Sequence, residues 1–316
     1  MLRIASIGEC MIELSETARS GGGPGTDAAA PSGSMWRTFG GDTLNTAVYL
    51  ARSLRTAAKD AKVHYVTALG DDPFSTEMLA AWTTEGLDTG LVFRLPGRLP
   101  GLYVIRTDGT GERTFHYWRG AAAARELLLA EQAEGLADGL SNFDLIYLSG
   151  ITLGILDAES RQRLFALLEA LKHGGCRIAF DTNYRPRLWQ NRNEAQQAVA
   201  RVLGLANLAL PTFDDEVALF GDATPETTVA RLHALGVEEV AVKCGGEPCL
   251  LSHNGQQAHV AGERIERPVD TTAAGDSFNG AYLAARLGGA TPAEAAAAGH
   301  RLAARVIATK GAIIPA

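Results

Sequence analysis

The stretch DTTAAGDSFNGAYLAARLGG, residues 270–289, places five small residues between two aspartates, directly before a helical pattern. Small residues allow close approach of the backbone, and successive N–H groups at the start of a helix form a cradle for negative charge. We therefore expect a phosphate to bind at this turn. Asp276 ends the cradle and is a candidate base that takes a proton from an attacking hydroxyl group. The alternative is that Asp276 only caps a helix that begins at Ser277.

Upstream of this stretch, short apolar runs that end in polar loops alternate with helical patterns. The runs that predict strands are RIASIG (3–8), VHYVTALG (63–70), FDLIYLSG (143–150), CRIAFDTN (176–183), LALPTF (208–213) and EVAVKCGG (239–246). The patterns that predict helices include LNTAVYLARSL (44–54), STEMLAAWTTEG (75–86) and SRQRLFALLEALKHGG (160–175). This alternation predicts an α/β fold in which helices cover a parallel sheet. Ligands of such sheets bind beyond the carboxyl ends of the strands, where polar residues gather in this chain.

Two regions, about 9–40 and 91–119, show strand patterns without helices between them. We expect them to form a small separate β-sheet, a lid on a single domain of residues 1–316, with a mobile loop at 17–34. Apolar residues alternate along the predicted lid strands and predict one uncovered apolar face: Val92, Leu102, Val104 and Phe115. An uncovered face of this kind favours a homodimer that is joined through the lids.

Composition excludes several classes of partner. The formal net charge is −7 and there is no basic run, so we expect no binding to nucleic acid. No apolar stretch approaches the roughly 20 residues of a membrane helix, and acidic residues occupy the place of a signal peptide's apolar run. We therefore expect a cytoplasmic protein without membrane contact. The cysteines show no metal-binding or disulfide spacing and are expected to be small buried side chains: Cys10, Cys176, Cys244 and Cys249.

A second glycine-rich element, FGGDTLNTAVYLARSL (39–54), also leads into a helix. Gly41 permits close approach, while Asp42 and Asn45 offer acceptor and donor groups that suit the hydroxyls of a polyol. It reads as a substrate loop, although Gly-Gly-Asp also occurs in ordinary turns.

Two further strand ends carry basic residues. FDTNYRPRLW (180–189) places Arg185 where a guanidinium could hold a carboxylate or a phosphate, unless the loop is only structural. VKCGGEPCLL (242–251) forms a strand-to-loop turn that could border a nucleotide. For Lys243 taken alone, we expect a solvated surface side chain rather than a ligand contact.

GGDTLN (40–45) and DTTAAGDSF (270–278), in this order and at this separation, closely resemble the ribokinase-like sugar kinases, or PfkB family. Segments such as LPGLYVIRTDGTGERTFHYWR (99–119) and KGAIIP (310–315) resemble the branch that acts on 2-keto-3-deoxy-D-gluconate. The resemblance implies a three-layer αβα core with a mostly parallel sheet and a β-sheet lid. It also implies ATP with Mg²⁺ as the phosphoryl donor, a monovalent cation as a further candidate cofactor, and the 6-hydroxyl of that sugar acid as the acceptor.

The resemblance also implies site residues by position. Asp276 is the general base, and the anion hole for the γ-phosphate consists of the amides of Ala273, Ala274 and Gly275. The implied sugar-binding residues are Gly41, Asp42, Asn45, Tyr103, Arg185 and Asp276. The implied ATP-binding residues are Lys243, Gly245, Gly246 and His300.

The chain departs from the family pattern at two places. Ala273 stands where a glycine is common, and its methyl group is tolerable if the backbone angles there are ordinary. The usual Asn-x-x-Glu motif is replaced by PTFDDEV (211–217), so either Asp215 or Glu216 takes the metal-binding role, through water.

The carboxylate of the implied substrate requires a nearby cation. Arg185 is the first candidate for it, with Arg106, Arg113 and Arg119 as alternatives in the lid. The other activities left open are a kinase for a neutral ketose or a nucleoside, and a sugar sensor without catalysis. The retained Asp276 and its cradle argue against the sensor.

Overall fold

The computed structural model describes residues 1–16, 35–107, 113–263 and 265–316, so the predicted loop at 17–34 lies outside the described part. The described helices are α1 (Asp42–Thr56), α2 (Pro73–Thr84), α3 (Ala130–Leu140), α4 (Gly150–Ile155), α5 (Ala158–His173), α6 (Arg192–Leu203), α7 (Phe213–Phe220), α8 (Pro225–Ala234), α9 (Ala274–Leu287) and α10 (Pro292–Ile307). The described strands are β1 (Leu2–Ile7), β2 (Met11–Glu16), β3 (Met35–Gly40), β4 (Ala61–Gly70), β5 (Val92–Leu95), β6 (Gly101–Thr107), β7 (Arg113–Trp118), β8 (Leu145–Ser149), β9 (Arg177–Asp181), β10 (Leu208–Ala209), β11 (Glu239–Cys244), β12 (Glu247–His253) and β13 (Gln256–Val260).

The main sheet has the strand order β13-β12-β11-β10-β9-β8-β1-β4-β5. Neighbouring strands from β11 to β5 pair in parallel, whereas β12 and β13 extend one edge as an antiparallel hairpin that the sequence did not predict. The predicted strands and the mostly parallel sheet are therefore confirmed. Only two residues of the predicted run at 208–213 pair as a strand.

Two hydrophobic cores lie on opposite faces of this sheet. Ala5 and Ile7 of β1 pack in one core with α5 and α6, while Ile4 packs in the other with α1, α9 and α10. Successive side chains of a strand point to opposite faces, so the two cores separate the chain into helix, sheet and helix layers. The predicted three-layer αβα architecture is confirmed.

The small sheet has the strand order β3-β2-β6-β7. The prediction was wrong at Val92–Leu95, which pairs in parallel with β4 at the edge of the main sheet. The predicted apolar face was also wrong. Phe115 pairs with Ile105 and packs against Ile105 and Tyr103. Leu102 and Val104 alternate with these two residues along β6 and therefore point to the opposite face of the small sheet. The alternation of apolar and polar residues predicts a strand and its two faces, but it does not specify which sheet the strand joins.

Two further expectations concerned membrane-spanning helices and the cysteine side chains. None of the described helices is long and apolar enough to cross a membrane. All four cysteines are free thiols; Cys10, Cys176 and Cys249 are buried and Cys244 is half-buried.

Candidate active site

Helices α1 and α9 begin side by side, and their first turns carry the two glycine-rich motifs. A Cβ atom on Gly280 would lie 2.8 Å from the carbonyl oxygen of Thr46, so α9 packs directly against the backbone of α1. A Cβ atom on Gly41 would lie 2.2 Å from the carbonyl oxygen of Glu9, which explains why this N-cap position requires glycine. The approach of Gly280 to Thr46 brings together two motifs that lie far apart in the sequence.

Asp276 is the third residue of α9, whose N-cap is Ala273. The interpretation of Asp276 as the helix cap was therefore wrong. Its Oδ2 accepts a hydrogen bond from Asn45 Nδ2 at 2.8 Å, and its carbonyl oxygen accepts one from Thr46 Oγ1 at 3.2 Å. Burial, together with the negative charge of Asp42, raises the pKa of Asp276 to about 7. A carboxylate with such a pKa can take up a proton near neutral pH.

The turn before α9 is closed by Asp270. Its carboxylate accepts hydrogen bonds from the N–H of Thr272 and the N–H of Gly311, both at 2.9 Å. The N–H of Ala274 donates to the carbonyl oxygen of Thr271 at 3.2 Å. The N–H groups of Ala273, Gly275 and Asp276 donate to no oxygen atom in the described part of the chain. These three donors are thus available to an anion at the helix start.

The backbone of Ala273 is left-handed, with φ 61° and ψ 16°. The condition under which the methyl group of Ala273 would be tolerable, ordinary backbone angles, is therefore not met. An alanine in this conformation costs roughly 1–2 kcal/mol because its Cβ crowds the following carbonyl oxygen. Glycine avoids that crowding, and this explains why a glycine at the position would be the unstrained choice.

Lys243 lies beneath the helix start, so the expectation of a solvated surface lysine was wrong. Only 8% of the residue is exposed. Its Nζ contacts Asp181 Oδ2 at 2.7 Å and Asn279 Oδ1 at 3.0 Å, while a Cβ atom on Gly275 would lie 3.5 Å from it. Its charge is therefore directed to the underside of the cradle.

Asp42 lies beside Asp276 at the start of α1. Its Oδ2 accepts a hydrogen bond from Asn183 Nδ2 at 2.9 Å. Burial raises the pKa of Asp42, and the nearby charge of Asp181 raises it further. The site thus combines several carboxylates with amide groups that can orient them.

The small sheet supplies two buried contacts near this site. The phenol of Tyr103 donates to the carboxylate of Glu13, and a Cβ atom on Gly40 would lie 2.7 Å from the phenol oxygen. Arg119 forms an ion pair with the fully buried carboxylate of Glu9. The first pair connects β2 and β6 within the small sheet, whereas the second lies where that sheet joins the core, since Glu9 follows β1 and Arg119 follows β7.

Arg185 and the two candidate metal residues have different environments. Arg185 is half-exposed and contacts Asp215 Oδ1 at 3.2 Å, and burial raises the pKa of Asp215 to about 6. Glu216 is fully buried and contacts Arg231 at 2.5 Å, and burial raises its pKa to about 7. Asp215 is consequently the more accessible of the two carboxylates.

The remaining predicted ATP residues lie in the turn between β11 and β12 and on α10. Gly245 has a positive φ of 62° in the turn between β11 and β12, followed by Gly246. His300 of α10 contacts the carbonyl oxygen of Val260 at 2.9 Å and packs edge-on against Phe278. Burial lowers the pKa of His300, which favours a neutral ring.

The sequence analysis gave no site role to three residues of this region, Asn279, Tyr147 and Thr46. Asn279 Nδ2 donates to Asp181 Oδ2 at 2.7 Å and lies 3.1 Å from the hydroxyl of Tyr147, which in turn lies 3.3 Å from Thr46 Oγ1. A polar residue one turn after Asp276, on an otherwise apolar helix face, was the available signal for Asn279. Tyr147 carried no signal, because its run resembles any buried strand.

Comparison with known proteins gives a consistent result. Residues 1–316 match the pfkB family of carbohydrate kinases. The chain is 49% identical over 316 residues to the 2-dehydro-3-deoxygluconokinase of Escherichia coli strain K12, covering 99% of this chain and 97% of that protein. It is 43% identical to the enzyme of the same name from Haemophilus influenzae, covering 99% and 96%.

Solved structures share the fold at lower identity. A 2-dehydro-3-deoxygluconokinase from Thermotoga maritima is 21% identical, with a TM-score of 0.81 and coverage of 99% of this chain and 96% of that chain. A ribokinase-like protein from E. coli, described as a putative ribokinase II in complex with ATP and Mg²⁺, is 23% identical, with a TM-score of 0.82 and coverage of 99% and 94%. The ribokinase-like fold expected from the resemblance is confirmed.

Proposed function

The chain belongs to the pfkB family of carbohydrate kinases, and we propose that it transfers the γ-phosphoryl group of ATP to the 6-hydroxyl of 2-dehydro-3-deoxygluconate. This compound is the 2-keto-3-deoxy-D-gluconate of the sequence resemblance. The observation that carries the proposal is the carboxylate of Asp276, which lies at the open N–H groups of α9 with a raised pKa. The high identity to kinases named for this substrate supports the choice of acceptor.

The geometry supports a transfer in one displacement step. Asp276 takes the proton of the 6-hydroxyl while the hydroxyl oxygen forms a bond to the γ-phosphorus. The bond from the γ-phosphorus to the bridging oxygen breaks, and ADP leaves with that electron pair. The N–H groups of Ala273 and Gly275 would stabilise the charge on the γ-phosphate oxygens. Asn45 holds the Asp276 carboxylate in place through its 2.8 Å hydrogen bond.

Magnesium would enter with the triphosphate. The described residues contain no cluster of three or more metal-binding side chains, which fits an ion held mainly by phosphates and water. Asp215 is the carboxylate that could bind it through water, because Glu216 is buried against Arg231. Bound Mg²⁺ would neutralise charge on the phosphates.

The carboxylate of the substrate needs a cation with free donors. Arg185 fits this role because it is half-exposed and its contact with Asp215 is solvent-screened. Arg119 is one of the three lid alternatives, besides Arg106 and Arg113, and its guanidinium is already paired with buried Glu9. We therefore assign the carboxylate contact to Arg185.

We also infer a homodimer that forms through the small sheet, in a cytoplasmic protein. Aromatic side chains on β3 and β7 are exposed, with 63% for Trp36, 47% for Tyr117 and 61% for Trp118. Exposed aromatic groups of this density favour a protein contact. Free thiols at all four cysteines support a reducing compartment.

An assay of ADP formation with ATP and Mg²⁺ tests the proposal. The acceptors are 2-dehydro-3-deoxygluconate, its galactonate-derived epimer, fructose, ribose and a nucleoside. We expect the highest kcat/KM for the first compound. A higher value for a neutral ketose or a nucleoside would refute the substrate and keep the kinase, whereas no transfer to any acceptor would favour the sugar sensor.

A further inference from the structure

The ammonium group of Lys243 is fixed by two side chains from different elements. Asp181 Oδ2 at the end of β9 lies 2.7 Å from Nζ, and Asn279 Oδ1 of α9 lies 3.0 Å from it. Asn279 Nδ2 also donates to Asp181 Oδ2 at 2.7 Å, which closes a triangle of contacts. All three residues are at least nine-tenths buried. Such a closed arrangement gives the ammonium one position.

A buried ammonium needs a reason beyond packing. Replacing a buried ion pair by apolar side chains of similar volume is often neutral or stabilising, so the pair with Asp181 is weak evidence for a purely structural role. The position supplies the reason, since a Cβ atom on Gly275 would lie 3.5 Å from Lys243 Nζ. The charge therefore lies directly below the open N–H groups of α9.

The charged groups around Lys243 come from every element that meets at this point. Three carboxylates besides Asp181 contribute negative charge to this region: Asp42 of α1, Asp215 of α7 and Asp276 of α9. Arg185 is the second cation besides Lys243. The neutral titratable neighbours are the phenol of Tyr147 and the thiol of Cys249. Lys243 lowers the pKa of Asp276, whereas Asp181 and Asp42 raise it.

We propose that Lys243 is a positioning residue for phosphoryl transfer, in which Asp181 and Asn279 hold its ammonium charge beneath the start of α9, the helix that carries Asp276 in its first turn. The same charge attracts the anion in the cradle above. Lys243 acts through Asp276 and through the field at the helix start. The proposal rests on the proposed function, because it assigns a role within that reaction.

The test compares the pH dependence of kcat/KM in two variants of Lys243. Lys243→Met removes the charge, and we expect the acid limb, which reports Asp276, to move about one unit to higher pH. We also expect kcat to fall at pH 7 and the KM for ATP to rise. Lys243→Arg keeps the charge and should leave the limb near its wild-type position. Lys62→Met is the matched control, because Lys62 pairs with Asp88 at 2.5 Å, outside the site.

Asp181→Asn should shift the acid limb of kcat/KM in the opposite direction. It keeps the proposal testable if Lys243→Met does not fold. It removes a negative charge and leaves the ammonium, so the acid limb should move to lower pH. Thermal unfolding and circular dichroism check each variant. Losses of activity and stability with an unmoved limb in Lys243→Met and Asp181→Asn would overturn the proposal. That outcome leaves the wild-type kinase activity, and hence the proposed function, untouched.

Discussion

Asn45 donates a 2.8 Å hydrogen bond to the carboxylate of Asp276 across a sequence separation of 231 residues. The bond connects the first turn of α1 with the first turn of α9, so each glycine-rich motif supplies half of one site. It holds the carboxylate beside the open N–H groups while leaving its second oxygen for a substrate hydroxyl. The arrangement unites the candidate base and the phosphate cradle.

Replacing Asp276 by asparagine should nearly abolish turnover. Asp276→Asn keeps the size of the side chain but removes the proton acceptor, and loss of a general base reduces rates by roughly 10²–10⁴. The kcat for ADP formation and the Kd for ATP measure the effect, and we expect the Kd to change little. Asp222→Asn, a change in an ion pair remote from the cradle, is the control. A kcat near that of the wild type would contradict the assignment.

The raised pKa of Asp276 also predicts a stability difference that depends on pH. The carboxyl is protonated more strongly in the folded chain, with a pKa of about 7, than in the unfolded chain, so wild-type stability decreases as pH rises from about 4 to about 7. Asp276→Asn does not titrate, and a pKa shift of about 3 units at about 1.4 kcal/mol per unit predicts that its stability relative to the wild type is roughly 4 kcal/mol more favourable at pH 8 than at pH 4. Urea unfolding at both pH values measures this. Equal differences at the two pH values would exclude the raised pKa.

The left-handed backbone of Ala273 predicts an unusual response to glycine. Ala273→Gly relieves the Cβ crowding and should be neutral or stabilising by up to about 1 kcal/mol. Ala274→Gly is the matched control at the first helical position, where glycine should destabilise by roughly 0.5–1 kcal/mol. Chemical denaturation of both variants gives the comparison. Equal losses of stability would contradict the strained conformation.

Arg185→Ala should weaken discrimination in favour of the sugar acid. A charge-assisted hydrogen bond contributes roughly 1.5–3 kcal/mol, so kcat/KM for 2-dehydro-3-deoxygluconate should fall about ten- to a hundredfold. The value for a neutral sugar should change much less. Arg185→Lys should restore part of the loss, because it keeps the charge without the two parallel donors.

The exposed Arg187 of the same loop provides the matched control, Arg187→Ala. If Arg185→Ala lowers kcat/KM for both substrates equally, Arg185 serves ATP or the loop itself. The carboxylate partner would then be sought at Arg119.

Substituting two exposed tryptophans should disrupt the inferred dimer. Trp36 and Trp118 lie on the outer strands of the small sheet, and aromatic anchors contribute much of the energy of protein contacts. The double change Trp36→Ser and Trp118→Ser should shift micromolar protein from dimer to monomer in sedimentation velocity. Leu129→Ser, at another exposed apolar side chain, is the control. A monomeric wild type would remove the idea.

The amino-acid sequence by itself determined the fold class and the two halves of the site. Apolar periodicity is a local property, so β1, β4, α1 and α9 could be predicted without tertiary contacts. The chemistry of the small-residue turn is local in the same way, because helix-start N–H groups attract anions wherever they occur. The sequence did not determine which sheet Val92–Leu95 joins, since alternation specifies faces and not neighbours.

Only the tertiary structure decided the environments on which the chemistry depends. The packing of α9 on α1 brings Asn45 to Asp276, and the sheet order brings Asp181 to Lys243, which buries a lysine that looked solvated. The turn before α9, in which Asp270 accepts a hydrogen bond from the distant Gly311, also contains the left-handed backbone of Ala273. The burial of a side chain and its distance to other charges depend on residues from distant parts of the chain. These residues come together only when the helix and sheet layers pack, so the sequence alone does not reveal them.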